Sequence, residues 1–405
     1  MSLSLTSCTI VGLERDVTIK LVAADYGYNG ATSSKVYWDN LVEKFEKANP
    51  RINVEVAVYN WEKIDERVAE MVRRGEAPDI AQTGSYAEYA SRGLLYQTNQ
   101  LLSIPTEADF VPELAQQGQF KYRQYGMPFA ASARVLFYNK NLFKKAGIER
   151  PPKTWDDLKR DAWALKAVGV PTPFGLPLGP QEPQVETFNW FLSGGGDYTD
   201  ETGEIRVNSD QNVHTFEWLQ GLVSEGLTNP EPDKTNRRDI FRQFVNGDVG
   251  MLNGHPSLME PSTANGVDLG MTRLPGISGP SSRTPALTDW IMAFKSAGHR
   301  EEVGEFLDFV YLRENVVKLV KEYYFLPVTI SADDKLRTEK QNSRLFAFLD
   351  RLPVLAYYPS ERRYWSEILE KIRDQIGRAV TKDANPKSIL QDIQRAASPE
   401  VYGAD

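Results

Sequence analysis

The chain has 405 residues, 41% hydrophobic and 25% charged, with a net charge of −8. Single cores stop growing near roughly 250–300 residues, so this length predicts more than one compact unit. The 47 basic residues are scattered among 55 acidic ones, which excludes the concentrated cationic face that a nucleic-acid backbone requires, and no apolar run reaches the roughly 20 residues that cross a bilayer.

From the N-terminus, Leu5-Thr6-Ser7-Cys8 resembles a bacterial lipobox, in which a cysteine becomes a lipidated N-terminus, but the charged and apolar stretches of a full leader do not precede it. Cys8 is the only cysteine, so no internal disulfide is expected, and His214, His255 and His299 lack metal-ligand spacing. Neither metal nor cofactor is expected.

Val17–Val22 reads as a strand followed by a loop through Asp25, Tyr26, Tyr28 and Asn29. Tyr37, Leu41 and Phe45 recur at helical spacing until Pro50, and Ile52, Val54, Val56 and Val58 alternate as a strand. Asn60 is placed to cap a helix buried through Ile64, Val68, Met71 and Val72, and Gly75 ends it before a third strand at Asp79-Ile80-Ala81. This βαβαβ order predicts a mostly parallel sheet covered by helices.

Further along, Val135–Tyr138 is an apolar strand after the turn Tyr125-Gly126-Met127-Pro128, and reads as a segment carrying the chain from one unit into another. Thr154 and Asp157 form a capping-box pattern at a helix start. A helix at 185–192, a strand at Ile205–Val207, a helix near 210–225 and a helix–turn–strand at 241–251 follow. Asp289–Phe294 reads as a second crossing strand, and the tail from residue 342 as almost all helix.

These pieces, in this order, resemble the extracellular solute-binding proteins that feed ABC importers, in the branch of sugar-binding, maltose-binding-protein-like members. The resemblance runs from about Val17 to Ala397 and rests on Gly75–Ile80, Tyr125–Phe143, Asn189–Leu192 with its glycine turn, Phe244–Met251 and Phe306–Val310. It implies an α/β fold of two lobes, each a mostly parallel sheet flanked by helices, joined by crossing strands near residues 130, 290 and 326. The expected division is a tether at 1–16, a first lobe at 17–130 and 290–326, and a second lobe at 131–289 and 327–405.

A sugar offers apolar ring faces and a rim of hydroxyls, so its site needs aromatic platforms and forked polar groups. Residues at strand ends are the candidates. Tyr26 and Tyr28 follow the first strand, and Thr83, Ser85 and Tyr86 follow the third; Ser132 and Arg134 sit just past the first crossing. Asn189 precedes the glycine turn, beside a Trp190 that reads as core. Gly254 and His255 occupy the loop where the family often has Gly-x-Trp, and Pro256 replaces the aromatic there, which counts against a maltodextrin. Trp290, Phe325, Tyr357 and Trp365 complete the set, Trp365 matching a stacking tryptophan of the family. Several have a packing alternative: loop packing for Tyr26 and Tyr28, a helix cap for Ser85, a buried ion pair for Arg134, a structural turn for Gly254 and His255, and ordinary helix packing for Trp365.

The implied function is capture of a carbohydrate by closure of the two lobes and delivery to the permease subunits of an ABC importer. Membrane contact is expected only through lipid on Cys8, at the outer face of the cell membrane or in the periplasm, with the protein a monomer. The same fold with a polyamine, metal or peptide ligand is the alternative. A carbohydrate-active enzyme would need a pair of flanking carboxylates; among 55 acids such a pair is open, but no Gly-x-Ser-x-Gly, His-Glu-x-x-His or phosphate-loop pattern is present.

Overall fold

The structure is a computed structural model that describes residues 17–26, 33–359 and 365–396. Cys8 and Tyr28 lie outside the described residues. β1 (Val17–Asp25) buries Ile19, Leu21 and Ala23, and pairs in parallel with β2 (Ile52–Asn60) on one side and β3 (Ile80–Thr83) on the other. Parallel neighbours need a crossover, and helices Ser34–Ala48 and Ile64–Arg73 provide it. The first helix buries Tyr37, Leu41 and Phe45, as their spacing predicts, and Ser33 Oγ caps it by accepting the Lys35 N–H. Asn60 does not cap the second. Its Oδ1 accepts the Glu62 N–H at 2.8 Å in a local turn, and the helix starts later, after Lys63.

A short hairpin, β4 (Gln119–Phe120) and β5 (Arg123–Gln124), precedes β6 (Met127–Ala133). The chain then passes through Arg134 into β7 (Val135–Asn139) and changes sheets. β7 belongs to a second, four-stranded sheet with β8 (Thr172–Gly175), β9 (Val249–Gly254) and β10 (Leu269–Thr272), in the order β10-β7-β9-β8. β11 (Thr284–Ala293) returns to the first sheet, antiparallel to β6 and β3, and at its start runs parallel to β12 (Leu355–Ala356). Ala286 pairs with Ala133, and Leu326 bridges Ala131, so three segments lie side by side at the crossing.

Helices Trp155–Ala167, Pro183–Ser193, Asp210–Ser224 and Trp365–Gln375 enclose the second lobe around Phe174, Phe188, Trp190 and Phe216. The capping box forms as expected: Thr154 Oγ1 accepts the Asp157 N–H at 3.0 Å, and Asp157 Oδ2 accepts the Thr154 N–H at 3.2 Å. Two expectations need correction. Ile205 makes only an isolated bridge to Thr199 rather than a strand, and the tail includes 3-10 turns and β12 besides its helices. The third crossing also stays with the first lobe beyond residue 326. Val111 N–H donates to Val328 O at 3.0 Å, and Ser331 Oγ donates to Asp109 Oδ2 at 2.5 Å, so a lobe boundary directly after 326 is too early. Among the described residues no helix is long and apolar enough to cross a membrane.

Candidate functional site

The C-terminal ends of β1 and β3 and the crossing part of β11 bring polar side chains to one edge of the first lobe. Tyr26, directly after β1, rests its ring edge-on against Phe325, with centroids 4.9 Å apart. Its hydroxyl donates to Asp289 Oδ2 and accepts from Gln82 Nε2. Burial, reinforced by the charges of Asp65 and Glu182, pushes the Asp289 carboxyl up to about 7 against the opposing Tyr26 hydrogen bond. Asp65 is reached by water, yet protein surrounds it closely enough that desolvation raises its pKa; the Gly84 N–H, 3.0 Å from Oδ1, and the charge of Arg373 work against that rise. A Cβ on Gly84 would lie 3.3 Å from Asp65 Oδ2 and 3.9 Å from Asp289 Oδ1, so the two carboxylates converge over a residue with no side chain.

The second lobe answers with cations. Arg134, buried at the junction of β6 and β7, donates from Nη1 to Ser132 Oγ at 3.1 Å and lies 4.0 Å from Glu182. Burial lowers its pKa to about 10, which leaves it charged at neutral pH. Glu182 pairs more closely with Arg237, Nε to Oε2 at 2.5 Å. Arg237 Nη1 also faces His255 Nε2 at 2.6 Å, and His255 Nδ1 lies 2.9 Å from Ser257 Oγ. An arginine can only donate, so Nε2 is the acceptor and Nδ1–H donates to the serine. Burial, then Arg134 and Arg237, hold the imidazole well below its usual 6.5 and therefore neutral.

Tyr26, Ser132, Arg134 and His255 thus gather around the cleft, with Phe325 behind Tyr26. The other expected residues are engaged elsewhere. Thr83 Oγ1 donates to Ser85 O at 2.7 Å and accepts the Ser85 N–H at 3.2 Å, a local turn. Tyr86 is buried, its hydroxyl 2.6 Å from Gln117 O and 2.8 Å from Gln119 O; its ring packs edge-on against the equally buried Trp290. These two aromatics hold the β4–β5 hairpin. Asn189 donates to the buried Glu186 at 3.2 Å. Gly254 is needed for packing, because a Cβ there would meet Phe137 Cδ2 at 2.6 Å. Trp365 is buried and stacks on Tyr358 at 5.6 Å, edge-on to Tyr198. Tyr357 is half-buried against the core that spans the crossing.

Sequence reasoning passed over Asp65, Glu182, Arg237, Asp289 and Arg373, because it followed aromatic residues. The available signal was position: Asp289 sits on a crossing strand beside Trp290, and Asp65 lies in the first turn of a helix whose opposite face is apolar. Two hollows of about 280 and 310 Å³ lie elsewhere on the first lobe, one around Leu94 and Phe294 at the opposite end of β3, the other beneath the β4–β5 hairpin.

Two lobes, three crossing segments and a polar cleft between them define a two-lobed ligand-capture protein. Residues 31–317, more than half of the chain, match the family described as bacterial extracellular solute-binding protein, and the chain belongs to that family. Its members are binding proteins rather than enzymes. The sn-glycerol-3-phosphate-binding periplasmic protein UgpB of Salmonella typhimurium is 28% identical over 328 residues, covering 74% of this chain and 73% of its own. A binding protein of Brucella abortus is 24% identical over 94% of this chain and 92% of its own. Among solved structures, the GacH receptor of Streptomyces glaucescens, determined unliganded and with acarbose, matches with a TM-score of 0.81 at 19% identity, over 96% of this chain and 100% of that one. An ABC substrate-binding protein of Listeria monocytogenes in complex with cycloalternan matches at 0.79 and 20% identity, over 96% and 99%. These structural likenesses establish the two-lobe fold.

Proposed function

We propose that the protein is the substrate-binding component of an ABC importer, capturing a carbohydrate between its lobes and handing it to the permease. The observation that carries this reading is the convergence of Tyr26, Asp65, Ser132 and Asp289 of the first lobe with Arg134 at the crossing and Glu182 of the second lobe, beside the segments about which the lobes would hinge. Carboxylates accept and guanidiniums donate in planar forks, the pairing that vicinal hydroxyls require. A ligand touching both sides favours the closed state by its extra contacts there. Solved neighbours in complex with acarbose and cycloalternan support the carbohydrate class.

A thermal-shift screen against mono- and oligosaccharides, with spermidine, ferric ion and peptides as competing classes, tests the reading. A true ligand at a hundredfold excess over Kd stabilises by about 2.7 kcal/mol. A shift with peptide or spermidine and none with any sugar would overturn it. Lipid on Cys8 would hold this monomer at the outer membrane face beside its permease. Cys8→Ser is then expected to release protein from the membrane fraction of the native host, and equal retention would refute the anchor.

A further inference from the structure

The loop between β2 and helix Ile64–Arg73 reaches across the cleft. Glu62 Oε1 accepts from Gln181 Nε2 of the second lobe at 2.9 Å and lies 3.6 Å from Arg238 Nη2. Beside it, the Trp61 ring of the first lobe lies 5.8 Å from the Arg237 guanidinium carbon, whose other ring contact is Phe241 at 5.4 Å. Gln181 is itself fixed: its N–H donates to Asn236 Oδ1 at 3.1 Å, and its Oε1 accepts the Arg238 N–H at 3.2 Å. Arg237 is aimed by Glu182 and by neutral His255.

We propose that Trp61 and Glu62 are positioning residues for capture: they clasp the start of helix Arg237–Val245 across the cleft and hold the lobes together without touching the ligand. Three features favour this over an incidental surface contact. The two residues are adjacent in one loop, and both find partners in the opposite lobe. Two of those partners, Gln181 and Arg237, have side chains oriented by contacts within their own lobe, so little of their freedom is lost when the lobes meet. The charges also match across the gap, acidic Glu62 and Asp65 on one side and Arg237, Arg238 and Arg373 on the other. Each contact is individually modest, as an exposed ion pair and a partly exposed cation–π pair are. Together they bias closure rather than lock it, and ligand completes the shift. The proposal refines the capture mechanism above but concerns the lobes alone.

The test therefore uses protein without added sugar, so it can fail while carbohydrate binding holds, and the reverse. Spin labels at Glu43→Cys and Glu217→Cys, exposed helix positions on opposite lobes, in a Cys8→Ser background report the interlobe distance by double electron–electron resonance. The parent should show a short-distance and a long-distance population. Glu62→Arg is expected to lower the short-to-long ratio about tenfold, and adding Arg238→Glu, which restores opposite charges, should bring most of it back. Trp61→Ala should lower the ratio too, at some cost in stability because its ring also packs against the first-lobe core, whereas the melting temperatures of the Glu62→Arg and double variants should be nearly unchanged. A parent with only the long distance would overturn the proposal. So would an unchanged ratio in Glu62→Arg, or a double variant as open as the single one.

Discussion

At the scale of single residues, burial decides more than residue type. Glu186 is buried and accepts hydrogen bonds from Trp190 Nε1 at 2.7 Å, Asn253 Nδ2 at 2.8 Å and Asn189 Nδ2 at 3.2 Å, yet burial still pushes its carboxyl up to about 7. The unfolded chain takes up that proton near 4.5, so between the two values the folded state binds more protons. The associated stability is present at acidic pH and is lost as pH rises through about 7, by up to about 3 kcal/mol. Glu186→Gln should therefore flatten the decline in melting temperature between pH 5 and pH 8, measured by calorimetry, and gain most at the alkaline end. The buried, unpartnered Asn189 Oδ1 can accept the new amide hydrogen if the Asn189 amide turns over. Trp365 shows the same principle. Its indole lies within the second-lobe core against Tyr198 and Tyr358, so Trp365→Ala should cost about 3–5 kcal/mol of stability, with little change in the sugar affinity of the protein that remains folded. A strong loss of affinity with an unchanged melting temperature would return Trp365 to the ligand surface.

At the scale of elements, strongly periodic or chemically capped segments were legible in the sequence. Tyr37, Leu41 and Phe45 fixed a helix face, Thr154 and Asp157 a helix start, and the apolar run after Gly126 a crossing strand. What escaped was long-range. Nothing near Tyr86 or Trp290 announces that they lie beneath a hairpin, where the Gln119 carbonyl and that of Gln117 just before it accept from the Tyr86 hydroxyl. Asn60 has the right chemistry for a cap, but its side chain closes a tighter turn first. The cleft charges were hidden for a related reason: an Asp or Arg on a helix or strand looks the same whether it meets water or another lobe. Gly254 illustrates the ambiguity, since a glycine in a binding loop suggests backbone approach to ligand. The structure instead sets it at the end of β9, facing the buried ring of Phe137. Gly254→Ala should cost about 1–3 kcal/mol through overpacking, read from chemical denaturation. Weakened sugar binding at full stability would point back to the ligand.

At the scale of the whole molecule, the arrangement separates rigid bodies from the parts that move. Each lobe has its own sheet; β6–β7 and β11 connect them side by side, and the segment at Leu326 lies along β6. Short adjacent connections allow the lobes to rotate about a common line while each core stays packed. The acidic edge of the first lobe and the arginines of the second then approach or separate as units. The central claim is that ligand drives this closure. Small-angle X-ray scattering, before and after addition of a carbohydrate whose binding calorimetry has confirmed, tests it most directly: the account predicts a smaller radius of gyration in the sugar-bound protein, and an unchanged scattering curve at saturating sugar would contradict it.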